Sequence, residues 1–335
     1  MYLLNHPAPR CACADSHRVG VARHKPGSRA GFSLPELIVA LILLGVVMGA
    51  MMTVLMRQQR FYRSANEIVD ARTQVRQAID MVPADLRVLS SSDVRNGTDM
   101  YASTDNSIDF RAITGSSVLC KITNQSKIII PPTDLTAGTA LTTWIDQPQV
   151  GDSMLIYDDS AAMGNGDDHW NIYGISNVAS NTGCGIATGL VRQEDVDAGL
   201  AGYSISLAPP MTATISIGSP IRFFRRRRYE LYQPSGSSSW YLGTYDCRAS
   251  CGTLSPVSGP FAAYSATAGS TGLRFTYLDS LGAEVFPTSV TERAKVARIQ
   301  LTARADTRAP VDIPGRPRAT VRDSLTLDVT LRNRQ

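Results

Sequence analysis

A short acidic segment in the middle of the chain offers oxygen ligands to a cation. Asp158 and Asp159 come first, and Asn165, Asp167 and Asp168 follow after a few residues. Calcium binds carboxylate and amide oxygens that converge to about 2.5 Å from one point. The spacing differs from that of an EF-hand, and acids in a turn are also common as solvated surface. The segment is therefore a calcium candidate, with a solvated acidic turn as the alternative, and no other cofactor is expected.

Catalysis has little support in the sequence. After residue 31 the chain contains one histidine, His169. The HExxH metalloprotease motif, the G-x-S-x-G nucleophile elbow and a phosphate-binding glycine loop are all missing from the sequence. A hydrolase that combines a serine with His169 is the enzymatic alternative, but no motif favours it. We expect the protein not to be an enzyme.

The densest charge run is Arg225–Arg228, which aromatic residues flank on both sides. On a strand, alternate side chains point to opposite faces, so the four arginines cannot form one continuous patch. Binding of single-stranded nucleic acid needs basic and stacking aromatic side chains on one face, so nucleic acid is disfavoured as a partner. The alternatives are an edge strand protected by charge, pairing with acids such as Asp246 or Glu230, and a salt-bridge surface between subunits.

Composition and charge distribution narrow the class of protein. The chain has 335 residues, of which 43% are hydrophobic and 19% charged, and this excludes a disordered, collagenous or coiled-coil protein. The net charge of +4 lies entirely in residues 1–31, which carry five basic residues against one acidic residue. Residues 32–335 are neutral overall, so no global positive field recruits a polyanion to them.

One apolar segment dominates the N-terminal region. Twenty consecutive uncharged residues run from Leu37 to Met56, and as a helix they span about 30 Å, the thickness of a bilayer core. The run is too long for the apolar region of a secretory signal, and no small-residue cleavage site follows it. A buried helix of a soluble protein is the alternative. The basic residues upstream place the N-terminus in the cytoplasm and the C-terminal bulk outside it.

The residues directly before the apolar run are specific. Gly31 and Phe32 are followed by Glu36, the fifth residue after the glycine. A carboxylate at the edge of an apolar helix costs free energy unless it finds a partner, and an ordinary membrane anchor has no use for it. Gly-Phe, a glutamate at this spacing and an uninterrupted apolar helix together resemble the class III signal of type IV prepilins.

This resemblance implies a processing step and an assembly step. A membrane prepilin peptidase would cleave after Gly31, and Phe32 would become the methylated N-terminus. Glu36 would then pair with the N-terminal amine of a neighbouring pilin or pseudopilin subunit. Pairing a buried amine with a buried carboxylate offsets the cost of burying each and fixes the axial register. The implied partners are the peptidase, other pilin or pseudopilin subunits and the inner membrane.

Four cysteines follow the leader: Cys120, Cys184, Cys247 and Cys251. An even number in a head exported to an oxidising compartment favours disulfides, and four cysteines allow three pairings. Cys247 and Cys251 lie four residues apart in a stretch rich in glycine and serine. This spacing favours a small loop closed by their bond, which leaves Cys120 for Cys184. Zinc ligation by the Cys-x-x-x-Cys pair is the alternative.

The remaining periodicity predicts an α+β fold. A helix is expected from about Ser33 to about Leu89, crossing the membrane over 37–56 and amphipathic over 57–90. A mostly antiparallel, β-rich globular head of the pilin type would pack on it. The predicted strands are Ser107–Ala112, Lys127–Ile130, Ser153–Tyr157, Asn171–Val178, Tyr203–Leu207, Ile221–Tyr232, Trp240–Tyr245, Leu273–Leu278, Ala294–Ala303 and Ser324–Arg332. A hairpin through Gln233–Ser239 joins two of them.

The order of these features narrows the resemblance. The strand Phe275–Asp279 and the chain end Asp328–Arg334 resemble those of PilW-type minor pilins and GspJ-type pseudopilins. The expected organisation is a leader over 1–31, a long helix over 32–90 and an extracytoplasmic head over 91–335. A head of this size is large for a major pilin.

The expected function is that of a structural minor subunit in an initiating or tip complex of a type IV pilus or type II secretion pseudopilus. The subunit would be a single-pass inner-membrane protein before assembly. One alternative is an adhesive or ligand-binding pilus tip. The other, from a different class, is a membrane-anchored periplasmic enzyme or binding domain.

Overall fold

The computed structural model of the chain describes residues 31, 33–92, 98–159, 169–181, 183–211, 215–248, 250–267, 269–331 and 333–334. The chain divides into two compact units, with the boundary between Gln58 and Gln59. Helix α1, Leu34–Leu86, contributes to both units, and its bounds agree with the predicted helix. The β-rich head belongs to the second unit.

The C-terminal half of α1 is amphipathic, as the periodicity predicts. Its buried side chains recur every three or four residues and comprise Ser64, Ala71, Val75, Ala78, Ile79, Val82, Pro83 and Leu86. Pro83 lacks the backbone N–H that would continue the hydrogen-bond ladder, and the helix ends three residues later. Its carbonyl still accepts a hydrogen bond of 3.0 Å from the backbone N–H of Arg87.

The strands of the described residues are β1 Ser90–Ser92, β2 Met100–Ser103, β3 Ser107–Val118, β4 Lys121–Asn124, β5 Lys127–Ile130, β6 Thr143–Trp144, β7 Ser153–Asp158, β8 His169–Asn181, β9 Gly202–Ala208, β10 Pro220–Tyr232, β11 Trp240–Asp246, β12 Thr253–Phe261, β13 Leu273–Leu278, β14 Arg298–Asp306, β15 Arg322–Thr330 and β16 Asn333–Arg334. The short helices are α2 Gln193–Asp197 and α3 Val290–Lys295, with a 3₁₀ turn at Ile186–Thr188. The α+β fold with a mostly antiparallel head is confirmed.

Strand β10 organises the large sheet. One edge of β10 pairs with β3 over nearly its whole length. Its other edge pairs first with β7, over Ile221–Phe224, and then with β11, over Arg227–Tyr232. The sheet therefore forks at Arg225 and Arg226, with β8, β9, β5 and β4 following β7 on one branch and β12 following β11 on the other. The predicted hairpin through Gln233–Ser239 is confirmed as β10–β11.

Two smaller sheets complete the head. Strands β13, β14 and β15 form an antiparallel sheet in that order, and β1 pairs in parallel with β16. The predicted strand Ala294–Ala303 was wrong at its start, because residues 294 and 295 end helix α3 and β14 begins at Arg298. Ser289 explains the helix, since its hydroxyl accepts a hydrogen bond of 3.2 Å from the backbone N–H of Glu292, as an N-cap does.

The apolar interior consists of separate clusters. The first core lies between α1, the three-stranded sheet and the β11 branch, and it includes Val75, Val82, Phe110, Leu242 and Phe275. The second core lies on the β7 branch and includes Ile130, Met154, Ile156, Ile205 and Phe223. Both cores use residues of β10, with Phe223 in the second and Tyr229 in the first. The arginine run lies on the strand between them.

Candidate functional site

Gly31, the predicted cleavage residue, is exposed. A Cβ built on Gly31 would meet no atom within 4 Å, so the fold does not require glycine at this position. Phe32, the predicted new N-terminus, lies outside the described residues. Because the backbone does not require glycine here, the glycine fits a role in recognition by another protein.

Glu36 has a partner within its own helix. Its Oε2 atom accepts hydrogen bonds from the backbone N–H of Ser33 at 3.1 Å and from the hydroxyl of Ser33 at 3.0 Å. Ser33 and Glu36 thus occupy the N-cap and N3 positions of α1, and Glu36 makes the bond to the N-cap backbone N–H that is one half of a capping box. The Ser-x-x-Glu spacing is the sequence signature of this contact, so the carboxylate has a local use that was not predicted. The carboxylate remains exposed, so capping leaves it accessible to another chain.

The apolar run is uncovered in the first unit. All its large apolar side chains, from Leu37 to Met56, have exposed fractions between 45% and 67%. Helix α1 is long and apolar enough to cross a membrane, with a mean hydropathy of 2.7 over the most apolar window. A contiguous exposed apolar surface of this size requires lipid or another apolar helix to cover it.

The four cysteines form two disulfides in the pairing that sequence spacing favours. Cys120 is bonded to Cys184, and Cys247 to Cys251. The first bond is buried in a small cluster with Val191. The sulfurs of Cys247 and Cys251 lie within 4.8 Å of a carboxylate oxygen of Asp109. Bonded to each other, these sulfurs cannot act as the thiolate ligands that zinc requires.

The acidic segment is described only at its first two residues. Asp158 is buried at the end of β7, where its Oδ2 accepts a hydrogen bond of 3.1 Å from the side-chain amide of Asn171 and lies 3.6 Å from Nε2 of His169. Asp159 is exposed. The other calcium candidates, Asn165, Asp167 and Asp168, lie outside the described residues. Calcium binding at this segment stays a prediction.

The arginine run does not lie on an edge strand, and that interpretation was wrong. Strand β10 is paired on both edges, and the side chains of the run alternate between its two faces. The carboxylates that pair with the run are also not those named from the sequence. Asp246 pairs with Arg248 at 2.7 Å, and Glu230 lies on β10 itself.

On the helix-facing side of β10, Arg225 and Arg227 are matched by carboxylates. Arg225 donates to both oxygens of Asp152, each at 2.7 Å, and a further hydrogen bond joins it to Asp146. These hydrogen bonds raise the pKa of Arg225 against the opposing effect of burial. Nη1 of Arg227 lies 3.8 Å from Oδ2 of Asp85, and Asp85 is in the last turn of α1.

Tyr229 shares that carboxylate, because its hydroxyl donates to Oδ2 of Asp85 at 2.8 Å. Burial, reinforced by the charge of Asp85, raises the pKa of Tyr229. The neutral phenol therefore persists as a donor, and it ties β10 to the end of α1.

On the opposite side of β10, Asp109 serves two arginines. Arg226 donates to its two oxygens at 2.9 and 2.7 Å, and Arg228 donates to Oδ2 at 3.2 Å. The hydrogen bonding of the Arg226 guanidinium to the carboxylate of Asp109 is the main cause that raises the pKa of Arg226. The guanidinium of Arg226 also stacks on Tyr101, 4.5 Å from the ring centroid. Carboxylates of the second unit thus pair with all four arginines of the run.

A cavity of about 560 Å³ is lined by residues of β10, β11 and β12 and by Arg248, which follows β11. Its lining includes Arg225, Arg227 and Arg248 with the acid Asp246. Each of these guanidinium groups lies within ion-pair distance of a carboxylate. An anionic ligand in this cavity would have to compete with these ion pairs.

Comparison with known proteins identifies one family motif. Residues 27–52 match the prokaryotic N-terminal methylation motif, and the matched segment contains Gly31, Phe32, Glu36 and most of the apolar run. No curated protein and no solved structure matches the chain. The motif indicates a type IV pilin-like substrate of prepilin peptidase that assembles with other pilins.

Proposed function

We propose that this chain is a structural minor pilin or pseudopilin, of the PilW or GspJ kind, in a type IV pilus or a type II secretion pseudopilus. The observation that carries the proposal is the methylation motif over residues 27–52, followed by an exposed apolar helix. An isolated membrane anchor needs neither the specific residues before the helix nor an accessible carboxylate at its start.

Processing divides the chain at Gly31. The leader, residues 1–31, is removed, and Phe32 carries the new methylated amine. Residues 32–90 form the assembly helix and residues 91–335 form the head. The glycine serves the peptidase, because the backbone at Gly31 makes no contact that excludes a side chain.

Before assembly the subunit is a single-pass protein of the inner membrane. The excess of basic residues before the apolar run favours a cytoplasmic N-terminus and a periplasmic head. The two disulfides of the head fit an oxidising compartment.

Assembly uses the apolar run and Glu36. Packing of apolar helices would supply the assembly energy, and Glu36 would exchange its contact with Ser33 for the N-terminal amine of a neighbour. A head over 91–335 is too large for dense repetition along a filament, so the subunit acts in an initiating or tip complex. Its role is structural rather than catalytic.

The test is the N-terminus of the processed protein. Co-expression with an active prepilin peptidase should give a chain that starts at methylated Phe32, measured by intact mass and N-terminal sequencing, whereas an inactive peptidase should leave residues 1–31 attached. Gly31→Glu should block cleavage, because the peptidase recognises this position. Gly49→Ala, in the apolar helix with open space around it, is the matched control and should be processed. A Gly31–Phe32 bond that survives active peptidase would instead favour a membrane-anchored periplasmic domain.

A further inference from the structure

The connection between β14 and β15 runs along α1 towards the N-terminal end of the helix. Glu67 accepts a hydrogen bond of 2.8 Å from the backbone N–H of Arg308. Four residues further along the loop, the backbone N–H of Asp312 donates to the hydroxyl of Ser64 at 3.1 Å. As the loop advances, its helix partner moves from residue 67 to residue 64, so the loop approaches the end of α1 that follows the apolar run.

The loop is held in this position by its own hydrogen bonds. The backbone N–H of Thr307 donates to the carbonyl of Val321 at 2.9 Å, and that of Val311 donates to the carbonyl of Ala319 at 3.0 Å. Val311 is buried, with an exposed fraction of 1%. The tip of the loop, residues 312–318, therefore has a fixed base against α1.

Exposed arginines concentrate at this end of the second unit. The loop contributes Arg308, Arg316 and Arg318, and α1 contributes Arg60 and Arg63; we call these five residues the basic collar. Arg60 precedes Ser64 by four residues and Arg63 precedes Glu67 by four, so the two arginines lie on the face of α1 that the loop contacts, one turn closer to the apolar run.

The acids beside the collar do not neutralise it. Glu67 uses Oε2 to accept backbone N–H groups of the loop. A carboxylate oxygen of Asp312 lies 3.9 Å from Nε of Arg318. The side chain of Arg318 is 66% exposed and that of Asp312 is 49% exposed. An ion pair this exposed is weak and screened by solvent. The five positive charges of the collar also outnumber the two negative charges of Glu67 and Asp312.

The collar follows the apolar run closely in the sequence. Arg60 is four residues beyond Met56, which corresponds to about 6 Å of α-helix. The polar headgroup layer extends about 5–8 Å beyond the hydrocarbon core on each side of a bilayer. Long arginine side chains at this position reach the phosphates of that layer.

We propose that the basic collar binds the phosphates of anionic phospholipids on the membrane surface that faces the head. This rests on the proposed function, which places the apolar run in a bilayer. Guanidinium groups bind phosphate through paired hydrogen bonds, and juxtamembrane clusters of arginine are attracted to anionic lipid. The contact would hold the loop against the membrane until the subunit is extracted into a filament.

The test compares the full chain in vesicles of phosphatidylcholine alone and in vesicles that also contain phosphatidylglycerol. The readout is hydrogen exchange of the backbone amides of residues 307–321. Exchange should be about thirtyfold slower in the mixed vesicles, as two engaged arginines at about 1 kcal/mol each would give. The difference should shrink at high salt, because exposed charges are screened. Adding glycerol phosphate to the neutral vesicles should leave exchange unchanged, since the collar takes lipid rather than free phosphate.

The matched variants separate charge from folding. Replacing Arg308, Arg316 and Arg318 by glutamine should abolish the difference between the vesicle types. The control, Arg298→Gln, alters a partly exposed arginine elsewhere in the head and should preserve that difference. Equal exchange in both vesicle types, or a difference that survives the triple change, would overturn the collar proposal. Failure of the wild-type chain to float with neutral vesicles would instead contradict the membrane anchoring on which the proposed function depends.

Discussion

Arg225 and Asp152 form a buried ion pair with two hydrogen bonds at the fork of the large sheet. The bonds join Nε to Oδ1 and Nη2 to Oδ2, both at 2.7 Å, and the side chains are 5% and 0% exposed. On β10, Arg225 lies between Phe223 of the second core and Tyr229 of the first core. A polar contact thus separates two apolar clusters on one strand, and it fixes where β7 and β11 diverge.

Removing one partner of this pair should destabilise the head strongly. Asp152→Ala leaves a buried guanidinium with only Asp146, and loss of one member of a buried pair costs about 3–5 kcal/mol. The free energy of unfolding of the full chain in detergent, measured with urea and tryptophan fluorescence, should fall by that amount. Asp306→Ala, which removes the partner of the more exposed Arg322, is the control and should cost less than about 1 kcal/mol. Equal losses would mean that Arg225 and Asp152 do not hold the fork.

The two contacts of Glu36 should be separable by mutation. Ser33→Ala removes one donor to the carboxylate but leaves the carboxylate free to meet a neighbouring subunit, so the variant should still enter filaments. Glu36→Leu removes the carboxylate and should abolish incorporation while the disulfide-bonded head stays folded. Incorporation is measured as the amount of the chain in sheared filaments relative to the membrane fraction. Normal incorporation of Glu36→Leu would restrict Glu36 to its capping role.

The two disulfides should stabilise the head unequally. The bond between Cys120 and Cys184 spans 64 residues, and that between Cys247 and Cys251 spans four. In the chain-entropy description a longer closed loop restricts the unfolded chain more, which gives about 4 kcal/mol for the first bond and about 2 kcal/mol for the second. Replacing each pair by alanine and measuring urea unfolding should reproduce this order. The reverse order would show that native contacts around Cys247 and Cys251 outweigh the effect of loop length.

Local signals predicted much of the secondary structure. Lys127–Ile130 and Leu273–Leu278 have the predicted bounds because turn residues flank short β-branched or aromatic runs. Strand β12, Thr253–Phe261, was missed because Pro256 and Pro260 are typical of loops. Both prolines are tolerated because β12 ends the main strand order of the large sheet as an edge strand.

Local sequence signals could not predict which carboxylates pair with the arginine run. Asp152 is 73 residues from Arg225, and Asp109 is 117 residues from Arg226. These pairs form because β3 and the start of β7 lie beside β10, and strand order in the sheet cannot be read from local periodicity. The processing signal was readable for the opposite reason, because Gly31, Phe32 and Glu36 are adjacent in the chain and need no fold to bring them together.

Asp195 should give the head an acid-sensitive contact between α2 and the loop after β5. Its carboxylate accepts hydrogen bonds from the hydroxyl of Thr136 at 2.6 Å, from the backbone N–H of Thr136 at 2.8 Å and from that of Arg192 at 2.8 Å. The hydroxyl of Thr136 is the main cause that lowers the pKa of Asp195 in the folded chain. A lowered folded-state pKa stabilises the protein above the ordinary aspartate pKa of about 3.9, and this stabilisation is lost as pH falls through the folded value.

Asp195→Asn should therefore unfold at lower urea concentration than the wild type at pH 6. The gap should begin to narrow below about pH 4, where Asp195 of the unfolded chain is protonated, and it should close as pH falls through the lower folded-state pKa. Other acids affect both proteins alike, so the difference between them isolates this group. Thr136→Val, which removes the hydroxyl donor to the charged form, should show a smaller gap with the same pH trend. A gap that stays constant from pH 6 to acid for both variants would show that these hydrogen bonds do not depend on the charge of Asp195.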